Sequence, residues 1–142
     1  MPFLDHQKFQ KQINCTNPLG LKGAIAIAYA ILMKQMWNGG SSSLAPSKIQ
    51  TLIGEKYPHF KGFQQQDAQE FMGSLLSLLH EDLNRIEKRP VLEPLESDGW
   101  SDTKIAEESW RRFLSRDDSI IVDNFFGQFK SKLTCPVCNK VV

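Results

Sequence analysis

The sequence has few cysteines and no excess of charge of either sign. Only three of its 142 residues are cysteine, and 17 Lys and Arg face 16 Asp and Glu, for a formal net charge of +1. Three cysteines, an odd number without an export signal, indicate reduced thiols and hence a cytoplasmic or nuclear location. So balanced a charge is not that of a nucleic-acid-binding domain, so no nucleic-acid partner is predicted.

A long apolar run is also lacking. The longest extends from Ala24 to Met33, about 15 Å as helix and roughly half of a bilayer's hydrocarbon core. No membrane partner is therefore expected. Hydrophobic residues at 41% and charged residues at 23% are close to globular averages, so a folded core is expected.

Hydrophobic periodicity predicts a mainly helical chain. We expect a first helix from Asn17-Pro18, where Asn can cap and Pro fits the first turn, to Asn38-Gly39-Gly40. This helix is apolar on nearly every side up to Met33, which predicts that it is buried. A second, shorter helix is predicted from about Pro46 to Tyr57-Pro58.

The third predicted helix carries an apolar stripe of period 3.6 and ends before Pro90. Glu81 and Arg85, one turn apart, are expected to pair on its exposed side. After a loop to Ser101, Asp102 is expected to cap a fourth helix with Ala106, Trp110 and Phe113 facing inward. The stripe of the third helix consists of Ala68, Phe71, Met72, Leu75, Leu76, Leu79, Leu83 and Ile86.

The pattern changes near the C-terminal end. Phe129, Ser131 and Leu133 alternate with two lysines, which predicts a strand with one face in water. The predicted fold class is therefore mainly α with a C-terminal β segment.

Cys135 and Cys138 follow that strand as a C-x-x-C knuckle, whose turn directs both sulfurs at one point. Structural zinc requires four ligands, but no second C-x-x-C is present. The histidines His6, His59 and His80 fall in no matching spacing. The pattern favours half a zinc site, cut by the chain end. A redox pair and two ordinary cysteines in a turn stay open as alternatives.

A cluster of amides and carboxylates precedes the third helix. Asp67 with Glu70 three residues later is typical of a capping box, which stabilises a helix by about 1 kcal/mol. From the residues alone, a capping role and a binding role are both open.

The run from Gln65 to Phe71, QQDAQEF, resembles a motif of the ubiquitin-specific proteases, papain-like cysteine proteases that remove ubiquitin. Further motifs occur in the same order, and the resemblance extends from about residue 17 to 141. Several of them are similar to the subgroup that often carries DUSP and ubiquitin-like domains. These motifs are Asn17-Pro18-Leu19-Gly20, Lys34-Gln35-Met36-Trp37, His80-Glu81-Asp82-Leu83-Asn84, residues 118–123, Phe129-Lys130-Ser131 and Cys135-Pro136-Val137-Cys138.

The resemblance implies that residues 1–142 are part of a papain-like α+β catalytic domain. Residues of about 17–117 would form its helical thumb and about 118–142 the start of its fingers. Gln65, Asp67 and Gln69 would bind the basic tail of ubiquitin. Cys135 and Cys138 would be two of four structural zinc ligands, completed only by a cysteine pair from outside this chain. No cofactor is implied for catalysis.

The catalytic motifs of that family are not found in this chain. Neither its Asn-Thr-Cys-Tyr/Phe nucleophile motif nor its histidine motif is present. Cys15 has no Gly-Asn lead-in, which indicates an ordinary cysteine. No catalytic residue is therefore assigned, and the chain alone is expected to be inactive, with the rest of the domain as a candidate partner.

Three functions remain open. The first is part of an active deubiquitinase, and the second is a truncated, catalytically dead product that binds ubiquitin or another partner. The third is an unrelated helical interaction module with a zinc knuckle. Nucleophile and histidine motifs on either side of this segment in the gene would decide for the first.

Overall fold

The structure is a computed structural model that describes residues 12–39, 43–95 and 99–139. Within these ranges the protein is mainly helical, as predicted, and none of the helices is long and apolar enough to cross a bilayer. The elements in chain order are α1 (Ala24–Asn38), α2 (Ser47–Lys56), a 3₁₀ turn (Pro58–Phe60), α3 (Ala68–Asp82), α4 (Asp102–Leu114) and α5 (Ile120–Phe125).

The core lies between α1, α2 and α3, and α5 packs against α3. Full burial of one Leu or Ile side chain contributes about 1.5–3 kcal/mol, so this cluster supplies most of the driving force for folding. Its buried members are Ile25, Ala26, Ala28, Ile49, Leu52, Ile53, Phe60, Leu78, Leu79, Leu83 and Ile121.

Helix α1 begins at Ala24, so the predicted start at Asn17-Pro18 is wrong. The backbone is left-handed at Lys22 and Gly23, with φ of 55° and 88°, and an α-helix cannot continue through such residues. The predicted end is confirmed by Gly39, whose φ of 64° terminates the helix. The expectation that this helix is buried holds for one face only, because Ile25, Ala26 and Ala28 are buried whereas Ile27 and Ile31 are 45% and 51% exposed.

Helix α3 ends at Asp82, whereas the sequence predicted that it would continue to Pro90. Beyond it the chain turns, because the Asn84 side chain accepts hydrogen bonds from the backbone N–H groups of Ile86 and Asp118. The predicted Glu81–Arg85 pair is therefore wrong. Arg85 binds Asp118 and Asp123, and Glu81 binds Arg89. Two positions of the predicted stripe, Ala68 and Met72, are exposed.

Helix α4 is capped by Ser101 and not by Asp102, because the Ser101 hydroxyl accepts from the Lys104 N–H. None of its residues is fully buried, and Ala106 is exposed although predicted to face inward. Trp110 and Phe113 are half-buried and stack on each other with centroids 5.2 Å apart. Ion pairs within the helix support it: hydrogen bonds from Arg111 and Arg112 lower the pKa of Glu108 to about 2.

The predicted strand from Phe129 to Leu133 is not formed in the described part of the chain, where Thr134 alone makes an isolated bridge. A strand requires a neighbour that pairs with its backbone N–H and C=O groups. Phe129 and Leu133 are 103% and 69% exposed, so the described segments do not cover this stretch. The prediction of a mainly α fold is thus confirmed, whereas the predicted C-terminal β segment is not observed in the described residues.

Candidate functional site

Gln65, Asp67 and Gln69, termed here the polar trio, lie together at the N-terminus of α3, and all three are exposed. Asp67 is the N-cap residue, with extended backbone, and its Oδ1 accepts a hydrogen bond of 2.9 Å from the Glu70 N–H. The side chains of Gln65 and Gln69 make no hydrogen bond within the ranges that the structure describes. The trio therefore offers one carboxylate and two amides to solution.

Only one of the two hydrogen bonds of a capping box is formed here. Glu70 does not reach back to Asp67 but lies 3.3 Å from His59 Nε2, while the Gln66 amide donates to the His59 carbonyl oxygen at 2.8 Å. Below them, Phe60 and Phe71 pack edge to face with centroids 5.3 Å apart. These contacts tie the start of α3 to the 3₁₀ turn, which holds the polar trio on a rigid base.

An extended peptide is a suitable ligand for such an arrangement. Its backbone offers alternating N–H and C=O groups, and the amides of Gln65 and Gln69 can both donate and accept. The Asp67 carboxylate adds a charged acceptor, whose hydrogen bonds are about twice as strong as neutral ones. The donors and acceptors of these three side chains are thus suited to an extended chain carrying positive charge.

The knuckle at Cys135 and Cys138 forms the second feature predicted from the sequence. A hydrogen bond of 2.9 Å from the Asn139 N–H to the Cys135 carbonyl closes its turn. The backbone N–H groups of Cys138 and Val137, followed by the Cys138 side chain, donate to the Cys135 sulfur and lower the pKa of that thiol. The thiolate is the form that binds zinc, so the lowered pKa is compatible with a role as a metal ligand.

Two sulfurs complete only half of a tetrahedral zinc site. Among the described residues, the one group of three potential ligands is His80, Glu81 and Asp117, and it contains neither cysteine. The donor set of the knuckle thus fits zinc in chemistry and falls two ligands short in number.

The group of His80, Glu81 and Asp117 is not a cation site. The Arg89 guanidinium binds both carboxylates at 2.8 Å, so a positive charge already lies between them. This network was missed from the sequence. The available signal was the run of polar residues at the end of the apolar stripe of α3. Buried polar side chains form hydrogen bonds, so such a run indicates partners elsewhere in the chain.

Cys15 lies exposed in a turn that Asn14 stabilises, because its side-chain oxygen accepts from the N–H groups of Thr16 and Asn17. No imidazole within the described ranges makes a hydrogen bond to Cys15. A cysteine nucleophile requires such a base. The assignment of Cys15 as an ordinary cysteine stays a prediction, and the surroundings described here are consistent with it.

Comparison with known proteins gives a consistent result. The sequence model of the family described as "Ubiquitin carboxyl-terminal hydrolase" matches residues 3–141. The chain is 49% identical over 139 residues to Ubiquitin carboxyl-terminal hydrolase 19 of Homo sapiens, covering 98% of this chain and 10% of that protein. It is 50% identical over 134 residues to Ubiquitin carboxyl-terminal hydrolase 4 of Rattus norvegicus, covering 94% and 14%.

A third relative, Ubiquitin carboxyl-terminal hydrolase 15 of Bos taurus, is 50% identical over 136 residues, covering 96% of this chain and 14% of that protein. The chain thus spans about a tenth to a seventh of the length of these relatives.

Proposed function

The chain belongs to the ubiquitin carboxyl-terminal hydrolase family, and on that premise we propose that it is part of a deubiquitinating cysteine protease. The proposed reaction is hydrolysis of the bond after the C-terminal glycine of ubiquitin. The observation that carries the proposal is the exposed polar trio on a fixed helix start, within a chain about half identical to three hydrolases of that name. Chemistry of this kind requires no catalytic cofactor.

Residues of about 17–117 are proposed to form the thumb and about 118–142 the start of the fingers. In this arrangement Phe129–Leu133 becomes a strand by pairing with backbone outside the described residues. The exposed apolar side chains of that segment support this, because an antiparallel sheet commonly packs one face on a core.

The proposed partner is ubiquitin, bound through its basic tail by Gln65, Asp67 and Gln69. The rest of the catalytic domain is a second proposed partner, and the cytoplasm or nucleus is the proposed location. A catalytically dead product that binds ubiquitin without cleaving it would use the same polar trio, so binding alone does not separate the two functions.

Cleavage separates them. This chain alone is expected to hydrolyse no fluorogenic ubiquitin C-terminal amide, since it carries neither the nucleophile motif nor the histidine motif. A domain that also includes both motifs is expected to cleave it. Labelling of Cys15 in the isolated chain by a ubiquitin-based suicide probe would overturn the assignment and make Cys15 a nucleophile. An inactive complete domain would favour the dead product.

Zinc is expected to bind this chain weakly and below one ion per chain, because two thiolates leave a tetrahedral site half filled. Metal analysis after mild chelation, with the Cys138→Ser variant as control, measures the stoichiometry. Zinc held tightly at one ion per chain would mean that further ligands exist in this chain. One ion per two chains would mean that two knuckles share a site.

A further inference from the structure

A buried contact between His80 and Ser119 joins α3 to the start of α5. His80 Nδ1 lies 2.8 Å from Ser119 Oγ, and the two residues are 6% and 0% exposed. Ser119 is also the N-cap of α5, because its Oγ accepts from the backbone N–H groups of Ile121 and Val122, each at 3.2 Å. All three hydrogen bonds of this hydroxyl are therefore made inside the protein.

The roles in these bonds follow from counting donors and acceptors. A serine hydroxyl has one hydrogen to donate and two lone pairs that accept. Backbone N–H groups can only donate, so Ile121 and Val122 occupy both lone pairs of Ser119. The hydroxyl hydrogen is left for His80, whose Nδ1 must accept it and therefore carries no proton. The proton of the neutral ring is then on Nε2, 3.4 Å from Asp117 Oδ1.

We propose that His80 is a positioning residue, held as the neutral Nε2–H tautomer, which orients the Ser119 hydroxyl so that it caps α5. This role is independent of the ubiquitin assignment, since none of the polar trio takes part. It concerns the short helix from which the chain continues to the knuckle.

Protonation of His80 conflicts with this cap. An N–H at Nδ1 would compete with Ile121 and Val122 for the two lone pairs of Ser119, and one backbone N–H of α5 would lose its partner. At six residues, α5 has few other hydrogen bonds to hold it. A proton on Nδ1 is therefore incompatible with the complete cap of α5.

The other neighbours of His80 leave Nδ1 to Ser119. Glu81 and Asp117 both pair with Arg89, and Asp117 Oδ1 lies 3.4 Å from Nε2. On the side of α5 the ring faces Phe126, with centroids 5.8 Å apart.

The tautomer is measured by NMR on the 142-residue chain. At pH 8 the ¹⁵N resonances of His80 are expected to show Nδ1 without a proton and Nε2 with one.

A proton on Nδ1 at that pH would overturn the proposal.

Variants supply an independent test. His80→Asn keeps an acceptor oxygen near the place of Nδ1 and is expected to retain most of the amide hydrogen-exchange protection in α5. His80→Gln does not, and is expected to lose it roughly fivefold. Equal losses in both would mean that His80 only fills space, which contradicts the proposal.

Matched serine variants locate the effect. Ser119→Ala removes the cap that His80 orients, whereas Ser101→Ala removes the exposed cap of α4, which has no histidine partner. In the Ser119→Ala background, His80→Gln is expected to cause no further loss in α5. In the Ser101→Ala background it is expected to cause its full effect. Additive losses at His80 and Ser119 would contradict the coupling.

Discussion

Replacing Asp82 with Ala is expected to lower the free energy of unfolding by about 3 kcal/mol or more, which corresponds to a fall in Tm of roughly 10 °C. Asp82 is 0% exposed, and its carboxylate accepts hydrogen bonds from three backbone N–H groups. These belong to Leu21 at 2.6 Å, Ile25 at 3.2 Å and Ala26 at 3.4 Å. Ala at this position would leave all three donors without a partner in the interior, at about 1–3 kcal/mol for a fully buried one.

The carboxylate acts as a helix cap from a distant part of the sequence. Helix α1 has Gly23 at its N-cap, which has no side chain to accept from the first turn, and Asp82 supplies the acceptor instead. Gly20 permits this approach, because a Cβ there would lie 2.6 Å from Asp82 Oδ1. Asp82 thereby fixes the end of α3 against the start of α1.

A matched control is available at the other end of α3. Asp67 is also a capping carboxylate, but it is exposed and accepts one backbone N–H, so Asp67→Ala is expected to cost about 1 kcal/mol. Thermal and denaturant unfolding followed by circular dichroism would compare the two variants in this chain. A loss at Asp82 no greater than that at Asp67 would show that the three bonds contribute little.

The helices of the core were predictable because each carries its own periodic pattern. The Gly39 stop of α1 is a local signal and is confirmed. The stripe of α3 is confirmed in part, because Phe71, Leu75, Leu76, Leu79 and Leu83 join the core whereas Ala68 and Met72 are exposed. The start of α1 was not predictable, because its cap comes from Asp82 and not from the neighbouring Asn17. Asn17 instead donates to the Glu81 backbone and side chain.

Short elements that depend on partners were the least predictable. Helix α5 was not predicted, since six residues are too few for a periodic stripe, although Ser119 before an apolar run was an available capping signal. The strand at Phe129–Leu133 was predicted only from the alternation of apolar and polar residues. Such alternation indicates that one face lies in water, but it does not identify the neighbouring strand whose backbone must pair with this one.

The polar trio was located by its motif, whereas physical reasoning left capping and binding equally open. The structure shows that Asp67 does cap α3, and this finding does not decide against binding. A carboxylate has two oxygens, and the hydrogen bond to Glu70 uses only Oδ1. The two roles are therefore compatible in geometry and separable by a substitution that removes the charge while keeping the cap.

Asp67→Asn is that substitution. Asn caps helices about as well as Asp, so the Tm of the complete catalytic domain is expected to stay nearly unchanged. The charge-assisted hydrogen bond to a basic peptide is lost, and hydrogen bonds to charged groups contribute about 1.5–3 kcal/mol. Cleavage of a ubiquitin C-terminal amide is therefore expected to fall roughly tenfold or more in kcat/KM, mainly through a higher KM.

The complete domain is required for this measurement, since this chain alone is expected to be inactive. Asp102→Asn is the control, because Asp102 is an exposed carboxylate at the start of another helix, where it pairs with Lys130, and lies outside the polar trio. It is expected to leave KM unchanged. Wild-type cleavage by Asp67→Asn would mean that the motif only starts a helix. A fall in Tm without a change in KM would assign Asp67 to capping alone. A raised KM at unchanged Tm, absent in Asp102→Asn, requires the charge or the second acceptor oxygen of Asp67 to act on the substrate, since Asn retains the capping oxygen.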